Sequence, residues 1–252
     1  MRKGLFILIA VIILLLIFAN IPEGKKQLAT EHFIFSYSQT VDSTGVRELA
    51  ADLENNYARI SHDLFTKPAP HIQVNIYGSR WRYIKATGHW MASGNIEGSA
   101  TLHFVNQAWS EADNKKVALH EFSHAVVLQA LINQADSPLN RNTFDLRFAR
   151  FPTWLWESLS LYEAGQFRDP KTLAYIGNGK YPDLNELNSR TKGGKIYDVG
   201  YTIVEYILKK YGRGKLLELM LSYGDLQQTL QLSDSEFSKN WYDFVNEKYL
   251  HN

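Results

Sequence analysis

The chain has 252 residues, 45% of them apolar, with 27 Lys and Arg against 26 Asp and Glu for a formal net charge of +1. A body of this size buries a substantial core without cross-links, and 21% charged with 13% aromatic residues is too apolar for a disordered chain. The near-zero charge excludes a broad electrostatic footprint for nucleic acid, and the absence of Cys excludes disulfides, thiolate metal sites, cysteine nucleophiles and a lipidated Cys anchor.

Arg2 and Lys3 precede an unbroken apolar run from Leu5 to Ala19, which Asn20, Pro22, Glu23, Gly24 and the Lys25-Lys26 pair follow. As a helix the run spans roughly 22 Å against about 30 Å of hydrocarbon, so it reads as a short uncleaved signal anchor or a cleavable signal core. A core helix would need a polar face that the run lacks. Residues 1–24 are therefore expected to tether the chain to the cell membrane as a single pass. With Arg2 and Lys3 inside, the body at 25–252 is expected outside the cytoplasmic membrane, or secreted if the segment is cut.

Along the body, Thr30–Ser38 and His71–Tyr77 alternate as strands, and Ser99–Asn106 reads as a third. Asp42–Phe65 carries Leu49, Leu53, Tyr57, Ile60 and Leu64 on one helical stripe. Ser79–Thr87 reads as a short helix followed by a Gly/Ser/Met loop. Asp113 is expected to cap a long helix running to about Asn133. The polar stretch Asp136–Arg150 carries no assignable pattern. Thr153–Ala164 is helical, with Pro152 at its start and Gly165 at its end. Helices are expected at about 197–211, 214–222 and 235–249. A strand-containing first half and a helical second half give an α+β class with a small N-terminal sheet, and the junction between halves is the natural place for a ligand.

His120-Glu121-Phe122-Ser123-His124 is an H-E-x-x-H match. On a helix, positions four apart share a face, so both imidazoles can hold one metal ion, and Glu121 lies beside them where it can take a proton from water. With 8 His and 14 Glu in the chain, about 0.01 such matches are expected by chance. Val117, His120, His124, Val127 and Leu131 form one stripe, in which two imidazoles without a partner would make an awkward core. A third ligand is needed. Glu157 shares a helix face with Trp154, Ser158 and Leu161, where an unpaired carboxylate is costly and a metal partner makes it tolerable. Glu163 points elsewhere.

At these residues the sequence resembles the gluzincin metallopeptidases, in particular the bacterial peptidase-MA-like domains. Their pattern joins H-E-x-x-H on one helix to a zinc-ligating Glu on the next, often within P-x-W-L-x-E-G-x-A-x-Y. Pro152–Tyr162 here reads P-T-W-L-W-E-S-L-S-L-Y and departs at Ser158 and Ser160, both small. The 32 residues between His124 and Glu157 exceed the spacing common in thermolysin and aminopeptidase-N relatives, and the 136–150 insertion accounts for it. Tyr197-Asp198-Val199-Gly200-Tyr201 is similar to the Tyr-Glu-Lys-Gly helix start of aminopeptidase-N-like members, whose Tyr binds the developing oxyanion. The resemblance thus implies Zn2+ on His120, His124 and Glu157, Glu121 as general base, and Tyr197, with Tyr201 second, as oxyanion partner. It implies a gluzincin-like fold and hydrolysis of a peptide or protein substrate. It also implies that the strand before the H-E-x-x-H helix, Ser99–Phe104, is the edge that pairs with extended substrate. Gly94–Gly98 is a broken match to the segment with which aminopeptidases hold a free amine. The alternative is a gluzincin-derived binding or regulatory module that keeps zinc as a structural clip, for which a fourth ligand such as His103 or His89 would be the sign.

Overall fold

The computed structural model describes residues 24–135, 137–189 and 193–251. Five strands, β1 (Lys25–Ala29), β2 (Phe33–Ser38), β3 (Ile72–Tyr77), β4 (Gly94–Glu97) and β5 (Thr101–Val105), form one sheet in the order β1-β2-β3-β5-β4. Successive side chains of a strand face opposite sides. Phe33, Phe35 and Tyr37 therefore share a face with one another, as do Ile72, Val74 and Ile76, and Leu102 and Phe104, and all are buried. The register aligns these rows, Phe35 beside Val74, Val74 beside Leu102 and Ile76 beside Phe104. The three central strands are parallel, and β1 and β4 pair antiparallel at the two edges.

The edge is a correction to the sequence reading. β5 is bonded to β3 on one side and β4 on the other, so Ser99–Phe104 holds no free edge. β4, read from sequence as part of a loop, is the edge strand on that side of the sheet, as β1 is on the other.

Two helices cover the apolar face. α1 (Ser43–Asp63) starts at Asp42, whose carboxylate oxygens accept from the Thr44 and Gly45 amides at 3.0 and 2.9 Å. The short α2 (Arg80–Thr87) lies between β3 and β4 and ends at Gly88 in the left-handed region. α3 (Ala112–Asn133) begins at Glu111 without a side-chain cap; Asp113, expected as the cap, sits in its first turn, where its charge still complements the helix dipole. Phe122 of α3 meets Phe33 and Tyr57 at ring separations of 5.3 and 5.8 Å, which seats this helix against both sheet and α1.

The stretch 136–150 contains a helix, α4 (Arg141–Phe148), capped by Asn140 through a 3.2 Å bond to the Thr143 amide. The remainder is helical: α5 (Thr153–Glu163), α6 (Ala174–Gly177), α7 (Leu184–Asn188), α8 (Ile196–Leu221), α9 (Leu226–Leu230) and α10 (Asp234–Val245). The two helices expected at 197–211 and 214–222 are both within α8, which breaks at Gly212 (φ +80°, ψ +170°). At Gly200, a Cβ would lie 2.6 Å from Leu161 Cδ1 and 3.1 Å from Ser158 Cα, so the missing side chain is what lets α8 approach α5. The class is thus mixed α+β, with a small five-stranded sheet and a mostly helical remainder.

One partly buried ion pair ties these parts together. Glu163, 4% exposed at the end of α5, accepts from Arg59 Nη1 at 2.6 Å, and its carbonyl accepts from Arg59 Nη2 at 2.6 Å. Asp63 pairs with Arg213 and lies 3.5 Å from Arg59, which joins α1 to α8 just beyond Gly212. Burial pushes the Glu163 carboxyl up to about 7 despite Arg59. A carboxyl raised in the folded state contributes stability below its unfolded value that is lost as pH climbs through the folded one. Arg59→Met should therefore cost about 2–3 kcal/mol at pH 8, where the stranded carboxylate is charged, and less at pH 5. Urea unfolding at the two pH values reads this directly, and an equal loss at both would disprove it.

The expected single-pass membrane placement needs correction. Among the described residues no helix is long and apolar enough to cross a membrane, and the apolar run itself lies outside the described residues.

Candidate metal centre

α3 presents His120 and His124 one turn apart on the side facing α5, with ring centroids 4.5 Å apart and planes nearly perpendicular. Glu157 of α5 meets them: its Oε2 lies 3.2 Å from His120 Nε2 and 3.7 Å from His124 Nε2. One donor atom from each of the three residues falls within a 4.8 Å cluster. The histidines are 8% and 5% exposed and the Glu157 side chain is 14% exposed, so the rings are buried and the carboxylate nearly so. Two donors each about 2.1 Å from a tetrahedral ion lie about 3.4 Å apart, and the observed separations bracket that value. Two imidazoles and a carboxylate are also a donor set suited to a first-row divalent metal. The group could hold a metal ion.

The rings are fixed from behind. His120 Nδ1 bonds Gln166 Oε1 at 2.9 Å, and His124 Nδ1 bonds Ser160 Oγ at 2.8 Å. With each Nδ1 engaged there, both Nε2 atoms face Glu157, the orientation ligation requires. Trp156 lies flat on His124, with centroids 4.3 Å apart and planes at 9°, and Phe148 of α4 packs edge-on against Trp156 at 5.2 Å. The insertion between the two motifs thus reaches the site through one indole.

The electrostatics follow from burial and pairing. Burial and the charge of His120 together hold His124 down to about 4, a neutral ring with a lone pair to offer. Burial alone would depress His120 as well, but its bond to Glu157 and the charges of Glu121 and Glu157 carry it above the usual value. Burial opposes ionisation of Glu157 too, yet its bonds to His120 and His124 hold it well below the ordinary carboxylate range.

Glu121 sits beside the cluster, where burial, reinforced by the Glu157 charge and opposed by His120, pushes it up to about 7. Its place is made by β4: a Cβ on Gly94 would lie 2.8 Å from Glu121 Cγ and 2.9 Å from the Phe104 ring. Tyr83, fully buried, donates to Asn95 Oδ1 at 2.8 Å and steadies that strand. Burial, then the Glu121 charge, pushes the Tyr83 phenol up to about 12.

Tyr197 is 54% exposed, and partial burial together with the nearby Glu157 and Glu121 charges raises its pKa. Tyr201 instead packs on Tyr162 and Phe167, at 4.9 and 5.2 Å. His103 is bonded to Tyr77 and Glu97, on the sheet face opposite Leu102 and Phe104. Asn95 and Glu97 share that opposite face, so Glu97 is turned from the cluster and the broken amine-binding match has no counterpart at the metal group. His89 is an exposed loop residue, and Glu163 is taken by Arg59.

Four residues at the site carry no signal at the sequence level. Gln166 lies just past the helix stop at Gly165, Trp156 enters only as a letter of the motif, and Gly94 only through the broken amine-binding match. Ser160 reads only as a small replacement, although a hydroxyl at that position had the means to accept or donate. Comparison with models of known protein families and with curated proteins finds no match for the chain.

Proposed function

We propose that the chain is a zinc-dependent peptidase of gluzincin type that hydrolyses peptide or protein substrates. The observation that carries this reading is the convergence of His120, His124 and Glu157 with Glu121 immediately beside them. A closed structural clip calls for a fourth protein ligand, and among the described residues the metal-competent group contains these three alone.

His120, His124 and Glu157 would hold the ion, with Ser160 and Gln166 orienting the rings. Bound zinc supplies Lewis acidity that polarises a carbonyl and acidifies water. Glu121 takes the proton from the attacking water and delivers it to the leaving amine nitrogen. The Tyr197 hydroxyl donates to the carbonyl oxygen as charge builds there, which supplies a few kcal/mol in a water-poor site. The open side of β4 takes the substrate backbone as an added antiparallel or parallel strand, beside Gly94 and so beside Glu121.

The test is zinc content followed by digestion of an unbiased peptide library read by mass spectrometry. About one zinc per chain and cleavage that a chelator abolishes and added Zn2+ restores are the expected results. Folded protein that takes up no zinc, or that takes it up and cleaves nothing, overturns the reading. Gly94→Ala tests the base separately. By displacing Glu121 it should lower kcat about 10–100-fold with zinc content unchanged. Full activity would show that β4 does not position the base.

A further inference from the structure

α5 ends at Glu163, and Gly165, at φ +64°, turns the chain back across the site. The three residues 166–168 then make contacts in three directions. Gln166 Oε1 meets His120 Nδ1 at 2.9 Å. The Phe167 ring packs on Tyr201 of α8 and on Tyr249, at 5.2 and 5.5 Å. Arg168 pairs with Asp198 Oδ1, and the other Asp198 oxygen accepts from the Tyr175 hydroxyl at 2.9 Å. Asp198 directly follows Tyr197 in the first turn of α8. A ligand ring and the helix start that carries Tyr197 are therefore both fastened to one short segment.

We propose that Gln166 is a positioning residue for His120, held in register by the Arg168–Asp198 ion pair, so that a single strap sets both the metal group and the start of α8. Its carbonyl oxygen has the chemistry for this: it accepts the Nδ1 proton and leaves the Nε2 lone pair available to a metal ion shared with His124 and Glu157. Anchoring matters because a Gln side chain has three rotatable bonds. The Gln166 amide donates to the Leu161 carbonyl at 2.9 Å, which fixes the start of the segment, and the ion pair and the Phe167 packing fix its far end. The inference rests only on the metal-binding half of the proposed function. A chain that binds zinc but cleaves nothing would end the peptidase reading and leave this one intact.

The test uses the full chain and zinc affinity measured by competition with a chromophoric chelator. Gln166→Leu, similar in volume but without an acceptor, should weaken zinc about 10–100-fold, whereas Gln166→Glu, which keeps the acceptor, should stay within about threefold of wild type. A purely structural role predicts the reverse order, since Leu suits a partly buried turn better than a second carboxylate. Arg168→Met should weaken zinc about threefold, and adding it to Gln166→Leu should cost nothing further, because the strap then has no contact left to hold. Should Gln166→Leu fail to fold, Gln166→Ala takes its place in the same comparison. Wild-type affinity in the acceptor-free variant, an equal loss in Gln166→Glu, or additive losses in the double variant overturns the proposal.

Discussion

Glu121→Gln is expected to keep its full zinc content and to lose about 10²–10⁴-fold in kcat. The substitution changes one oxygen to an amide nitrogen and leaves the shape that fits under Gly94. It touches none of the three donor atoms at the metal group, so metal content should not move. It does remove a carboxylate that lies beside the group without being one of its three donors. A carboxamide cannot accept a proton from water at neutral pH. On the proposed reading substrate is bound along β4, which the substitution leaves in place, so KM should change little and the loss should fall on kcat and kcat/KM together. A Glu121→Gln protein as active as wild type would mean that the proton goes elsewhere.

Glu157→Ala should act at the preceding step. Four-ligand zinc sites are worth about 10–16 kcal/mol, or about 3 kcal/mol for each ligand, so losing one of three should weaken zinc at least about 10²-fold. The effect should appear as loss of metal on dialysis against a mild chelator, with the fold retained by circular dichroism. Glu157→Gln separates charge from shape: it keeps an oxygen donor but not the anion, and its affinity should fall between wild type and Ala. Zinc retained by Glu157→Ala at wild-type affinity would remove Glu157 from the site. The pair of variants also distinguishes two failures, since a Glu157 variant that keeps zinc questions the ligand set, and an active Glu121 variant questions only the chemistry.

How much of this was legible in the sequence depends on whether the relevant spacing was local. His120 and His124 are one helical turn apart, so their shared face follows from helix geometry alone. Glu157 was legible because a carboxylate between tryptophans on a packed face needs a partner. The strands at β2 and β3 alternate strongly enough to be read, and the break in α8 follows from Gly212 and Gly214. β4 was not legible because Gly94-Asn95-Ile96-Glu97 is only four residues long and opens with Gly and Asn, which favour turns; it is a strand through pairing with β5. Missing it put the open edge one strand too far along. α4 was missed because its only buried residue is Phe144. The partners behind the imidazoles, Ser160 and Gln166, lie 36 and 46 positions from the rings they orient, and no local pattern records a bond across that distance.

The two borders of the sheet are guarded unequally. A border that accepts a stranger's backbone will also accept a neighbour's, and that is the usual route from a sheet to an aggregate. β1 closes one side with Lys25 and Lys26 exposed, and Lys26 is tied down on Ser43 Oγ at 3.1 Å, so a second copy docking there would confront like charges. β4 has no such charges at its start, but it is only four residues long and turns away at Gly98 in the left-handed region. Brevity does on this side what lysine does on the other. Four residues can align a short extended segment beside Glu121, yet they offer too few backbone bonds to nucleate a lasting intermolecular sheet.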